Sequence, residues 1–395
     1  MKYRMLALLL VGASRLEAAQ TVTVSTAVDL QNAVAAANAH GGNTTIVLRD
    51  GTYTLSATLN VAAPDITITG QSEVRENVIV QGDAMSATAA IGNLIRVAAN
   101  NFKVSNLTLQ KSRWHLIQIA GEAGASAPVV SNVVFRDAYQ QLLKVSVNQA
   151  NYAMTADNGL VEKSLFEYTA GIGPEYYIGG VDLHGGKNWV IRDNTFRSII
   201  SPATAVSEFA IHVWDRSANA LVEKNLIINC DRGIGFGLGV KGNTGGIIRN
   251  NMIYHAANDG QFADANIELA TSPGTKVYNN SVYSVSGYPN SIEYRFAATT
   301  GVLIKNNLTN GLITSRDGAT GAVGSNVTNA ISSWFVNAGQ GDLHLATNNP
   351  AVAGGQPVAG LIDDFDGDPR PQNGVDVGAD QWVSQVRPHP NVRAQ

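Results

Sequence analysis

The chain has 395 residues, of which 45% are hydrophobic and only 15% charged, with a formal net charge of −4. That is enough apolar material for a large core, and it excludes a nucleic-acid binder of the usual basic kind, because no stripe of Lys and Arg is present to neutralise phosphates. The single cysteine, Cys230, excludes an internal disulfide and reads as a buried thiol beside an apolar strand.

Lys2 and Arg4 precede an apolar run from Met5 to Gly12 and then small residues, which predicts a secretory leader over residues 1–19. The run is too short to span a bilayer. Ser25 to His40 is predicted as a helix: Ser25 or Thr26 caps it, Val28, Leu30, Val34 and Ala37 share a face, and Gly41-Gly42 stops it. Short β segments follow, TTIVLRDGTYTL, DITITG and NVIVQG, with Asp50-Gly51 as a turn.

From there a phrase recurs: VIRDNTF, LVEKNLI, IIRNNMI, KVYNNSV and LIKNNLT. Its asparagines, Asn194, Asn225, Asn251, Asn280 and Asn307, are spaced by 31, 26, 29 and 27 residues, and Asn106 and Asn132 extend the series backwards. A strand-rich repeat of this length predicts a solenoid in which each repeat is one coil, stacked on its neighbours to bury apolar faces. The asparagines are assigned to structure, as buried turn residues bonding backbone and each other. The repeats argue for one domain over residues 20–386, covered at its open end by the helix, with IDDFDGDPRPQNGVDVGADQW closing the fold and 387–395 a disordered tail. Asp364, Asp366 and Asp368 alternate without the offsets of a calcium loop.

Between the Asn phrases lie GGVDLHG, FAIHVWD, RGIGFGL, ANIELA, NSIEYRF and GLITSRD. Strand alternation turns Val181, Leu183, Ile211, Val213, Ile234, Phe236, Ile267, Leu269, Ile292 and Tyr294 inward. Two outward columns remain: Asp182, His212, Gly235, Asn266, Glu293, Thr314, and His184, Trp214, Gly237, Glu268, Arg295, Arg316. One coil offers only Gly235 and Gly237, which predicts a notch where a ligand approaches. His212 and Asn266 would be two coil steps apart, about 10 Å, leaving room for one sugar ring.

The helix, TIVLRDGTY and the Asn-bearing coils together resemble the secreted right-handed parallel β-helix proteins of the pectate-lyase type. The resemblance implies an all-β, single-stranded right-handed parallel β-helix, exported or periplasmic, and leaves the activity open, because the scaffold hosts lyases, hydrolases, epimerases and adhesins. The segment ANIELATSPGTKVYNNSVYSVSGYPNSIEYRF is similar to part of polysaccharide lyase family six, the alginate lyase and chondroitinase B group. That similarity implies Glu268 with Asn266 as calcium ligands and Arg295 as the essential arginine. It departs where the family has its lysine base, since Thr271-Ser272 stand there.

Removing the weakly acidic proton beside a uronate carboxylate requires neutralising that carboxylate, by Arg or Ca²⁺, and a tuned base. Arg295, with a cation held by Asn266, Glu268 and Glu293, fits the first need. His212 or His184 fits the second, with Lys144 as a reserve base. Trp214, Tyr177, Arg316 and the two glycines would contact substrate. The expected function is a monomeric, exported polysaccharide lyase acting on an acidic polysaccharide by β-elimination. A hydrolase using Glu268 and Glu293, a uronate C5-epimerase, and a non-catalytic carbohydrate-binding solenoid are the alternatives.

Overall fold

The computed structural model describes residues 19–202, 208–257, 262–346 and 349–382. The leader expected over residues 1–19 lies outside them apart from Ala19, and the tail expected over 387–395 lies outside them entirely.

Apart from one α-helix and short 3-10 turns the chain is β: a single-stranded right-handed parallel β-helix of about ten turns. One face is a ten-stranded parallel sheet. It runs from Leu59–Val61 through Ile95–Val97, Ile117–Ala120, Leu143–Ser146, Val181–His184, Ile211–Trp214, Ile234–Phe236, Ile267–Ala270 and Asn290–Arg295 to Leu312–Arg316. A second assembly holds twenty strands. Its coils bend at the Asn phrase, as where Leu221–Glu223 passes through left-handed Lys224 into Leu226–Ile228.

Apolar alternation explains the inside. Val181, Leu183, Ile211, Val213, Ile234, Phe236, Ile267, Leu269 and Ile292 are wholly buried, and Tyr294 nearly so. Phe135, Phe166 and Phe196 stack along the core with centroids 4.5 and 4.6 Å apart. At the bend, each asparagine amide accepts the backbone N–H and the side-chain N–H of the asparagine one coil earlier, from Asn194 through Asn225, Asn251, Asn280 and Asn307 to Asn326. Asn106 and Asn132 are not members of this ladder. Val133 pairs in register with the coil position of Ser164, so Asn132 falls one residue early, in the left-handed site itself, where Asn is tolerated. Outside the core, Glu162 with Arg192 (2.8 Å), Glu223 with Arg249 (2.7 Å), and Arg136 with Glu167 (2.6 Å) tie successive coils at the surface.

The helix Ala27–Ala39 is capped by Thr26, whose hydroxyl accepts the Asp29 N–H at 3.1 Å. Its buried residues are Leu30, Ala33, Val34 and Ala37, an i, i+3, i+4, i+7 stripe, while Val28 points to solvent. The expected face was therefore right except for Val28, which lies about 200° round from Leu30. The C-terminal segment does not plug the open end of the solenoid. It lies along the flank, where Asn279 and Asn306 donate to its carbonyls and Arg370 donates to Asn250, Gly378 and Ala379. There it covers Leu226, Met252 and Leu308 with Phe365, Val377 and the Phe335–Leu345 hairpin.

Candidate active site

Pairing along the ten-stranded sheet sets one outward column as Lys144, Asp182, His212, Gly235, Glu268, Glu293 and Thr314. Beside it, His184 pairs with Trp214, and Ala270 pairs with Arg295 and then Arg316. The expected columns are thus corrected on one coil. Ile267 pairs with Ile234, so Glu268 faces Gly235, and Asn266 sits at the corner before the strand, where its carbonyl accepts the Ile234 N–H at 2.8 Å.

The glycine notch is also corrected. A Cβ on Gly235 would lie 2.5 Å from the Phe209 ring, so the space is taken by a side chain of the same protein. Gly237 has φ of +81°, and a Cβ there would lie 1.9 Å from the Ala270 carbonyl, which is a backbone reason for glycine. His212 is wholly buried beneath these groups, with Nδ1 against Glu208 (2.8 Å), Nε2 against the Gly237 carbonyl (3.3 Å), and its ring stacked on Trp214 at 5.0 Å. Trp214 has Lys241 over its ring at 5.4 Å and donates its indole N–H to Asp182 at 2.7 Å, so it is not a bare platform for a sugar.

The convergent group lies one coil earlier than expected. Lys144 Nζ is ion-paired with Asp182 and lies 2.7 Å from His184 Nε2 and 3.3 Å from the Tyr177 hydroxyl. His184 Nδ1 meets Asp215 at 3.1 Å, and Nε2 lies 3.2 Å from Asp182. Asp215 also accepts from Tyr152 (2.5 Å) and Gln149 (2.7 Å). Lys144, Asp182, His184 and Asp215 are all buried, and Tyr177 and Tyr152 are half-buried above them.

Electrostatics follow from this packing. Burial disfavours the Asp182 charge, but Lys144 and His184 outweigh it and hold the carboxyl well below its ordinary range. Burial works against the Lys144 ammonium and the His184 imidazolium too, and Asp182 outweighs it for both, so each is raised. Asp215 falls to about 2, against burial, because His184 and Tyr152 donate to it. His115, one coil before Lys144, falls to about 4 through burial and then the Lys144 charge. Lys144 and His184 touch at 2.7 Å, a contact that accommodates one proton between two nitrogens, so the two titrate as a pair.

A second cluster lies further along. Glu268 is bonded to Arg232 at 2.5 Å and lies 3.9 Å from Arg295, and Arg295 pairs with Asp317 at 2.9 Å. Glu293 pairs with Arg316 at 2.8 Å and accepts from Tyr288 and Asn290. The set expected to bind calcium, Asn266, Glu268 and Glu293, does not fit that ion: its carboxylates are already balanced by guanidinium groups, and Asn266 is off the column. A His/Asp group elsewhere, His344, Asp366 and Asp380, has ligand atoms within 4.8 Å of one another. Both ring nitrogens of His344 face carboxylates, Asp342 at 2.5 Å and Asp366 at 2.9 Å. These overcome burial and raise its pKa to about 10, so an imidazolium already supplies the positive charge. Arg295 stands five rungs from Lys144, about 24 Å, and cannot reach the same sugar.

The sequence reading missed Asp215, Tyr152, Glu208 and Phe209. Asp215 carries a readable signal, a polar residue directly after the outward Trp214, whereas Phe209 and Glu208 stand at a corner where strand alternation says nothing.

No protein-family model matches the sequence, and no curated protein matches it. Among solved structures the chain is similar to pectate lyase Pel9A, with TM-score 0.60, 13% identity, and coverage of 92% of this chain and 96% of that one. An alginate lyase from Paenibacillus sp. str. FPU-7 matches with TM-score 0.47, 15% identity, and coverage of 78% and 100%. A mannuronic acid specific polysaccharide family 6 lyase from human gut microbiota matches with TM-score 0.47, 12% identity, and coverage of 78% and 79%. The chain is a parallel β-helix of the pectate-lyase type. No helix among the described residues is long and apolar enough to cross a membrane.

Proposed function

We propose that this protein is an exported lyase that cleaves a uronate-containing polysaccharide by β-elimination. The observation that carries the reading is the buried Lys144, Asp182, His184 and Asp215 group on the outward face of adjacent rungs, with Tyr177 at its edge. The Lys144–His184 pair has one nitrogen free to take a proton. His184 Nε2 accepts a proton from Lys144, and the freed amine takes the proton on the carbon next to the uronate carboxylate. The electron pair left behind forms the carbon-carbon double bond, the glycosidic oxygen departs, and the Lys144 ammonium returns the proton to it. Lys241, partly exposed and 3.9 Å from Asp215, and exposed Arg216, which follows Asp215 in the chain, would meet the substrate carboxylate. Arg295 and Arg316 then hold more distant uronates of the same chain.

A hydrolase reading loses support because Glu268 and Glu293 are both held by arginines. The test is a screen of alginate, pectate, glucuronan and glycosaminoglycans for new ultraviolet absorbance, which an unsaturated uronate end produces and hydrolysis or epimerisation does not. Absence of signal on all of them counts against the lyase. Because Glu268 and Glu293 are paired with arginines, a chelator is expected to leave turnover unchanged; a loss restored by Ca²⁺ would return calcium to the mechanism. Lys241→Ala is expected to raise KM about tenfold, the worth of one hydrogen bond to a charged group, with kcat measured alongside.

A further inference from the structure

We infer that Asp215 is the positioning residue that fixes which nitrogen of His184 carries a proton and which stays open to Lys144. The inference rests on the lyase reading above for its catalytic meaning, though not for its geometry. Asp215 follows the strand Ile211–Trp214 and has φ of 53°, and Arg216 after it has φ of 71°. Two consecutive non-glycine residues in the left-handed region are costly and persist only where their surroundings enforce them. Here the turn points the Asp215 carboxylate back to the neighbouring rung, where it meets His184 Nδ1 at 3.1 Å.

An ionised carboxylate only accepts, so Nδ1 carries the hydrogen toward Asp215; Nε2 faces Asp182 at 3.2 Å and the Lys144 ammonium at 2.7 Å, and the shorter contact, to a group that can only donate, leaves the Nε2 lone pair turned to Lys144 Nζ. The carboxylate is itself fixed. Tyr152 and Gln149 both donate to it from the segment after the strand Leu143–Ser146, and the Arg216 guanidinium lies 4.3 Å from the Tyr152 ring centroid. The charged and titratable groups around His184 are Lys144, Asp182 and Asp215 in contact, His115 two coils back, and Lys241, Arg216 and Tyr152 around Asp215. Asp215 is wholly buried, so it acts through His184 and not on a sugar.

The experiment uses the full chain and Asp215→Asn. Nitrogen NMR of the labelled imidazoles is expected to show His184 with hydrogen on Nδ1 when neutral, and a lowered His184 pKa in the variant, because a charge that favoured imidazolium is gone. If the screen finds a substrate, kcat should fall about a hundredfold, within the range for general base catalysis, with KM within a factor of two. The acid limb of the pH profile should move down, since His184 stays neutral to lower pH. Tyr152→Phe is the second variant. It keeps the charge but removes a donor, so the acid limb should move up. Shifts of opposite sign from two changes to one contact are not produced by a merely structural role. Hydrogen on Nε2 in the native protein, or an unmoved His184 titration in Asp215→Asn, overturns the inference. A correct titration shift with no turnover on any polymer leaves the inference standing and overturns the lyase reading.

Discussion

Lys144→Arg is expected to reduce elimination about a thousandfold or more while the protein stays folded. Arginine keeps a positive charge facing Asp182, so the buried carboxylate retains a counter-ion. It does not give up that charge at any working pH, so the proton cannot pass to His184 and no free amine forms. Losses of about 10²- to 10⁴-fold are usual when a general base is removed. Lys144→Ala should lose as much activity and also stability, because Asp182 would stay buried without its cation. Breaking a buried pair by removing one partner costs about 3–5 kcal/mol. The lower end applies here, since the Trp214 N–H and His184 still face Asp182. Single-turnover rates and thermal melting separate the two effects. An Arg variant retaining more than a tenth of the native rate would remove Lys144 from the role of base.

The scaffold was legible because its causes repeat. An asparagine that must bond the coil before and the coil after recurs every coil, and inward alternation needs only the sequence. The site was less legible because its causes act across coils. Alternation marks His184 and His212 alike as outward, yet His212 is covered by Glu208 and Phe209, which enter from a corner. Gly235 carries the signal of a close approach, and that signal is the same whether a ligand or Phe209 approaches. The acidic residues Glu268 and Glu293 look alike in sequence whether a cation or an arginine balances them, and Arg232, which decides it for Glu268, lies 36 positions away in the chain. Glu268 stands in the column place expected for Asn266, and Ala270 in the one expected for Glu268, because register is set by which residue bonds Ile234, not by counting polar residues from the strand end.

The ladder gives the second large effect, on stability. Asn225→Ala is expected to destabilise the protein by about 4 kcal/mol, whereas Asn326→Ala should cost about 1 kcal/mol. Asn225 is wholly buried and donates to the carbonyls of Ile191 and Glu223 and to Asn251, while accepting both the backbone N–H and side-chain N–H of Asn194. Alanine makes none of these bonds, and the position is wholly buried between two coils. Each buried polar group left unpaired costs about 1–3 kcal/mol, and at least the Asn194 amide and the Ile191 carbonyl, both on the coil before, are stranded, while Asn251 on the coil after loses a donor. Asn326 makes the same bonds to Asn307 and Ile304, but it is only partly buried at the last rung, so solvent can replace it. In a solenoid each coil is stabilised mainly by its neighbours, so an interior break is felt on two sides and a terminal one on one side. Urea denaturation of both variants measures the difference directly. Equal losses would mean that coil packing, and not the amide ladder, holds the bend.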